Sequence, residues 1–200
     1  MNPFVPEAVQ SNLILASQSP RRIGILRQLG FEFKIEPAGI AEQGDASGRD
    51  PFELARELAE LKAARIAGRF PEATVIGADT IVIIDGRVLN KPRGDEEAAG
   101  FIRLLSGRIH TVVTGLAVLQ SGGEVAVSGR EETSVRFRRL TDREIECYVA
   151  SGEGRDKAGA YGVQGIGAGL VQSIEGCYFN VVGLPVALLI NLLNEVNRRT

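Results

Sequence analysis

The sequence predicts a mixed α/β fold built as one continuous domain, and three observations carry that expectation. Short apolar runs rich in β-branched residues alternate with longer stretches of helical periodicity. No repeat, low-complexity tract or Ser/Gly/Pro-rich linker divides the chain. Apolar residues make up 44% of 200, ample material for a core and too much for a disordered chain.

Element by element, Leu13-Ile14-Leu15-Ala16 reads as a buried strand. Ser19-Pro20 then supplies the N-cap and first position of a helix carrying Ile23, Ile25, Leu26 and Leu29, and Gly30 suits its C-terminal stop. Phe31 to Ile35 alternates like a second strand. Pro51 opens a helix with an apolar stripe expected at Phe52, Leu54, Ala55, Leu58, Leu61 and Ala64. Ala73 to Ile84 reads as a central strand that closes at Asp85-Gly86, a signal for a type I′ hairpin turn. Asp95 is expected to cap a helix through Leu105 that stops near Gly107. His110 to Leu119 and Glu124 to Phe137 read as long strands about the turn Ser121-Gly122-Gly123. Thr141 with Glu144 has capping-box spacing. Residues 152–185 are glycine-rich and expected to be irregular, and a last helix is expected from Pro185 to about Asn194.

Composition excludes several function classes. With 23 basic and 25 acidic residues the net charge is −2, so no broad cationic field exists for nucleic acid and any anion must be gripped locally. One histidine, His110, and two cysteines, Cys147 and Cys177, are too few for zinc clusters or a disulfide framework. The cysteines read as bland buried thiols, and His110 as a structural histidine at a strand start rather than a general base. The N-terminus lacks the basic region of a signal peptide, and the apolar run at 181–190 falls short of the roughly 20 residues that span a bilayer. A cytoplasmic protein without membrane attachment is expected.

Four segments carry candidate chemistry. Ser17-Gln18-Ser19-Pro20-Arg21-Arg22, at a strand-to-helix junction, combines exposed N–H groups, hydroxyls and two guanidiniums; it is either an anion pocket or an ordinary cap beside solvated arginines. Asp79, in Gly77-Ala78-Asp79-Thr80, interrupts an apolar strand, and a carboxylate there needs a cation, a metal or water to offset desolvation. Gly77 points to the same face and permits close approach of backbone or ligand. Lysine is scarce, so Lys62 on the preceding helix and Lys91 in Leu89-Asn90-Lys91-Pro92 are either partners of Asp79 in a cleft or solvated; Lys34 reads as solvated. Glu42 lies in a polar loop. In 156–165, dense glycine around Tyr161 with Gln164 suits recognition of a flat base, or else a flexible loop. Neither a G-x-x-x-x-G-K-[ST] loop nor a G-x-G-x-x-G fingerprint occurs, which disfavours P-loop and Rossmann mechanisms.

Taken together, LASQSPRR, the Glu42 loop, LKA around Lys62, IGADTIV, LNKPR, LSGRIHTVVTG, DKAGAYGVQG and IEGCYFNVVGLP resemble, in order, the motifs of the Maf family of nucleoside triphosphate pyrophosphatases. The resemblance runs from Leu15 to Pro185. It implies an elongated mixed sheet flanked by helices, in two inseparable lobes with a central cleft, related to the inosine triphosphate pyrophosphatases. It further implies hydrolysis of a nucleoside triphosphate to the monophosphate and pyrophosphate with a divalent cation, Mg²⁺ or Mn²⁺. Asp79 matches the family's proton acceptor. Ser17, Arg21, Arg22, Glu42, Lys62 and Lys91 match polar positions of its cleft, with Asp79 and Glu42 as the implied metal ligands. The Gly-Ala-Tyr-Gly-Val-Gln-Gly run is similar to the subfamily acting on dTTP and UTP, in which Arg21, Thr80 and Gln164 match positions linked to substrate choice. A homodimer is implied. Two departures stand out: Ala41 replaces an aspartate common in the family, removing one possible metal ligand, and Asn90 replaces a frequent glycine. The alternative is a nucleotide-binding regulator of cell division without turnover.

Overall fold

The computed structural model describes residues 1–40 and 50–199; Ala41 and Glu42 therefore lie outside the described residues. The elements run α1 (Glu7–Gln10), β1 (Leu13–Leu15), α2 (Pro20–Gln28), β2 (Lys34–Ile35), α3 (Pro51–Ala67), β3 (Thr74–Ile84), β4 (Arg87–Leu89), α4 (Asp95–Leu105), β5 (Ile109–Gln120), β6 (Val125–Phe137), α5 (Asp142–Ala150), β7 (Val171–Glu175), α6 (Tyr178–Val182) and α7 (Val186–Arg199). They form a seven-stranded mixed sheet in the order β2-β1-β3-β5-β6-β7, with β4 paired to β3. β1 is parallel to both β2 and β3, whereas β3–β4 and β6–β7 are antiparallel.

The expected turn chemistry is present. Asp85 and Gly86 both have positive φ, 50° and 71°, as a type I′ turn demands, and Ile84 pairs with Arg87 across it. Gly30, at φ 78°, ends α2: its N–H reaches the Arg27 carbonyl and that of Phe31 reaches Leu26, the paired bonds of a Schellman stop. Thr141 and Glu144 complete the reciprocal capping box of α5.

Other expectations need correction. The second strand keeps only Lys34–Ile35, its side chains exposed. Gly94, not Asp95, is the N-cap of α4, placing Asp95 in the first turn, where its charge meets the helix dipole. α7 runs on to Arg199, and α1 had no sequence signal. Within the glycine-rich stretch, β7 and α6 are regular. Cys147 is exposed and Cys177 partly so, both free rather than buried. Leu61 and Ala64 face solvent. The buried face of α3 is rotated onto Leu54, Ala55, Leu58, Ala59, Lys62, Ala63, Ile66 and Ala67.

The chain divides into two compact units: Met1–Asp79, Thr114–Glu131 and Gly183–Thr200 form the first, Thr80–Val113 and Glu132–Val182 the second. The first has a core of Ile14, Ala16, Val75, Ala117 and Leu119 against the alanines of α3. The second packs Val82, Leu89, Ile102, Leu105, Val135, Phe137, Ile145 and Tyr161. Among the described residues no helix is long and apolar enough to cross a membrane.

Candidate active site

In the first unit, two glycines bring α3 onto the sheet. A Cβ on Gly77 of β3 would stand 2.2 Å from the Ala59 carbonyl, and one on Gly115 of β5 2.2 Å from that of Ala55. The close approach that Gly77 permits is therefore taken by helix backbone. Ala55, Ala59, Ala63 and Ala67, spaced by four, supply the matching smooth stripe, each fully buried. Residues 77 and 79 share one face of β3, so the same contact delivers Lys62 to Asp79. Its Nζ lies 2.5 Å from Asp79 Oδ1, with Lys62 5% and Asp79 4% exposed. The desolvation that marked Asp79 as anomalous is met by a cation from α3.

Strand register brings the start of the Ser17–Arg22 segment alongside the middle of β3. Leu15 pairs with Ile76, and the Ala16 N–H bonds the Ile76 carbonyl, so Ser17 leaves β1 where parallel β3 continues into Gly77–Asp79. Ligands of open α/β sheets collect outside the carboxyl ends of such strands. Ser19 occupies the N-cap of α2, but its hydroxyl makes no capping bond. Ser17 does the ordering: its Oγ accepts from the Ser19 N–H at 3.3 Å and from Arg22 Nη1 at 3.1 Å. Arg22 is buried and donates from Nε to the Gly183 carbonyl at 2.9 Å, which makes it a brace of the junction. Arg21 is partly exposed in the first turn of α2.

In the second unit, Thr80 is half-buried in β3, Lys91 is exposed after β4, and Gln164 is exposed at the N-cap of a 3₁₀ turn over Gly165–Leu170. The Lys91 and Gln164 segments are tied, because the Gly159 N–H donates to the Asn90 carbonyl at 3.2 Å. The stretch 156–165 is packed, not a loose loop. Ala160 and Tyr161 are buried, and Ala160 is held at φ 61°, a conformation strained for a residue with a Cβ. Tyr161 stacks edge-on with Phe137 and His110, and its hydroxyl meets His110 Nε2 at 2.7 Å. His110 is the structural residue its position suggested; burial pushes its pKa down to about 4.

Two residues of this unit escaped the sequence reading. Glu153 accepts from the N–H groups of Ile166 and Gly167, both at 2.8 Å, and the Tyr148 hydroxyl accepts from the Gly162 N–H at 3.1 Å. A carboxylate in Ser-Gly-Glu-Gly carries no local pattern that would mark it. Lys34 is exposed, as read from the sequence.

Among the described residues no three His, Cys, Asp or Glu side chains gather to hold a metal by themselves. Asp79 nonetheless suits a hard cation shared with phosphate oxygens, since Mg²⁺ commonly takes one or two carboxylates and completes its shell with substrate and water.

Comparison with known proteins bears on family and fold. The profile of the Maf family, described as Maf-like protein, matches residues 12–196. The dTTP/UTP pyrophosphatase of Pelotomaculum thermopropionicum is 49% identical over 183 residues, 92% of this chain and 95% of that one. The dTTP/UTP pyrophosphatase of Deinococcus radiodurans is 46% identical over 189 residues, covering 94% and 95% of the two chains. Among solved structures, the Ham1 protein of Staphylococcus aureus superposes with a TM-score of 0.52 at 14% identity, over 94% of this chain and 98% of that one, a likeness of fold.

Proposed function

The chain belongs to the Maf family, and from that membership and the Lys62–Asp79 pair we propose that it hydrolyses dTTP and UTP to the nucleoside monophosphate and pyrophosphate. The observation that carries the reading is the nearly dehydrated carboxylate of Asp79 on a lysine in the middle of β3. An ionised carboxylate fixed in this way accepts a proton from the attacking water as the α–β phosphoanhydride opens. Lys62 holds it in place across the 2.5 Å contact. Arg21, with Lys91, meets polyphosphate oxygens, while Ser17 and Arg22 hold the junction in shape. A bound Mg²⁺ or Mn²⁺ shields the triphosphate charge and polarises its phosphoryl oxygens. Asp79 would be its protein ligand; Glu42, the other ligand implied by motif match, lies outside the described residues. By motif match, Arg21, Thr80 and Gln164 choose the base. The activity for which those relatives are named supports the same substrates. The working enzyme is a cytoplasmic homodimer in this reading.

Incubation with dTTP, UTP, CTP, ATP and GTP and either metal, with chromatographic identification of products, tests the proposal. dTMP and UMP with pyrophosphate are expected. Orthophosphate as the first product, or nucleotide binding without turnover, overturns it.

A further inference from the structure

Gln164 stands at the N-cap of a 3₁₀ turn, whose first N–H groups need acceptors, and its own side chain makes no capping bond. Those N–H groups, on Ile166 and Gly167, are both taken by the Glu153 carboxylate, one oxygen each, at 2.8 Å. The fit depends on glycine: a Cβ on Gly165 would lie 2.4 Å from Glu153 Oε2, and one on Gly167 3.0 Å from Oε1. Tyr148 links the other end of the segment to the same carboxylate, its hydroxyl accepting from Gly162 and donating to Glu153 Oε1 at 3.3 Å. Lys157 Nζ in turn bonds the Glu153 carbonyl. The segment 162–167 is thus bolted on both sides of Gln164, whose exposed side chain makes no hydrogen bond among the described residues.

We infer that Glu153 is the positioning residue for base selection: by capping the turn in place of Gln164, it releases the Gln164 amide to read the pyrimidine and fixes where that amide points. This rests on the assignment of Gln164 to the base. A charge-assisted cap of two amides is stronger than a neutral one and has a single geometry, which is what discrimination between bases requires. Without it, the segment loses the acceptor of two N–H groups and Gln164 loses its fixed position.

The test is a double-mutant cycle on selectivity, the ratio of kcat/KM for dTTP to that for GTP, with Mg²⁺ present. Gln164→Ala and Glu153→Gln are each expected to lower the ratio by about tenfold, through KM for dTTP with kcat within about twofold, and the double variant to lower it no further than either alone. Tyr148→Phe, which keeps the ring and removes the Gly162 bond, is expected to lower the ratio by about threefold and serves if Glu153→Gln does not fold. A lowered ratio in Gln164→Ala with an unchanged ratio in Glu153→Gln and Tyr148→Phe overturns the role of Glu153 and leaves that of Gln164 standing. An unchanged ratio in Gln164→Ala overturns the base assignment and this inference with it. Full additivity in the double variant shows that Glu153 acts other than through Gln164, which also overturns it.

Discussion

Asp79 and Lys62 each depend on the other for residing where they do. Removing one member of a buried pair strands the other charge, so Lys62→Met should lower stability by about 3–5 kcal/mol in urea unfolding. Lys62→Met with Asp79→Leu, which removes both charges, should recover most of that loss. Asp79→Asn keeps the shape and loses the proton acceptor: turnover of dTTP should fall by about 10²- to 10³-fold in a steady-state assay while nucleotide affinity changes little. His110 gives a second residue-scale expectation. Its pKa, ordinarily 6.5, is held at about 4 by burial among Tyr161 and Phe137, so the unfolded chain binds a proton that the folded one refuses. The stabilisation is complete above about pH 6.5 and is lost as the pH falls toward 4, by about 3 kcal/mol over the window. Urea titrations at pH 7 and 4.5 should show a steeper loss for the wild type than for His110→Phe. Asp79 was legible in the sequence because a carboxylate among Ile, Val and Ala violates desolvation cost in plain view. Glu153 was not, because a carboxylate in a glycine-rich turn violates nothing until the positions of the N–H donors it serves are known.

Helix α3 shows what periodicity misses. Counting large apolar residues centres the stripe near Leu58 and Leu61, yet the buried face centres on alanine and on Lys62, and Leu61 is 54% exposed. Alanine weighs little in hydropathy. Its value here is shape, and the shape it answers is set by Gly77 and Gly115 on strands far along the chain. Tertiary complementarity of that kind has no local signature, whereas Asp85-Gly86 and the Thr141–Glu144 box are local and were read correctly. Gly77→Ala should push α3 from β3, at a cost of about 1–3 kcal/mol, and should reduce turnover by about 100-fold as Lys62 leaves Asp79. Gly100→Ala is the contrast: nothing lies within 4 Å of its Cβ position on the exposed side of α4, and it should stabilise by about 1 kcal/mol. Thermal melts with parallel activity assays on both variants check the pair.

For the molecule as a whole, the fold class followed from alternating patterns, and the strand order and the assembly of each unit from discontinuous segments did not. The chain passes between the units at Asp79/Thr80, Val113/Thr114, Glu131/Glu132 and Val182/Gly183, the first three inside single strands. Cutting a strand in mid-run would orphan ladder bonds on both sides, so the units should melt together. Calorimetric and van't Hoff enthalpies should agree, and near- and far-UV circular dichroism should give one midpoint. Two separated transitions would contradict this.

The seating of α3 in its two glycine notches has an evolutionary corollary. Where main chain rests on main chain, no intermediate side-chain size exists through which the helix could be retuned by small steps, so the spacing of acid and amine is effectively frozen. The segment 162–167 is fastened differently, by side-chain bonds from Glu153 and Tyr148 that single substitutions can remove.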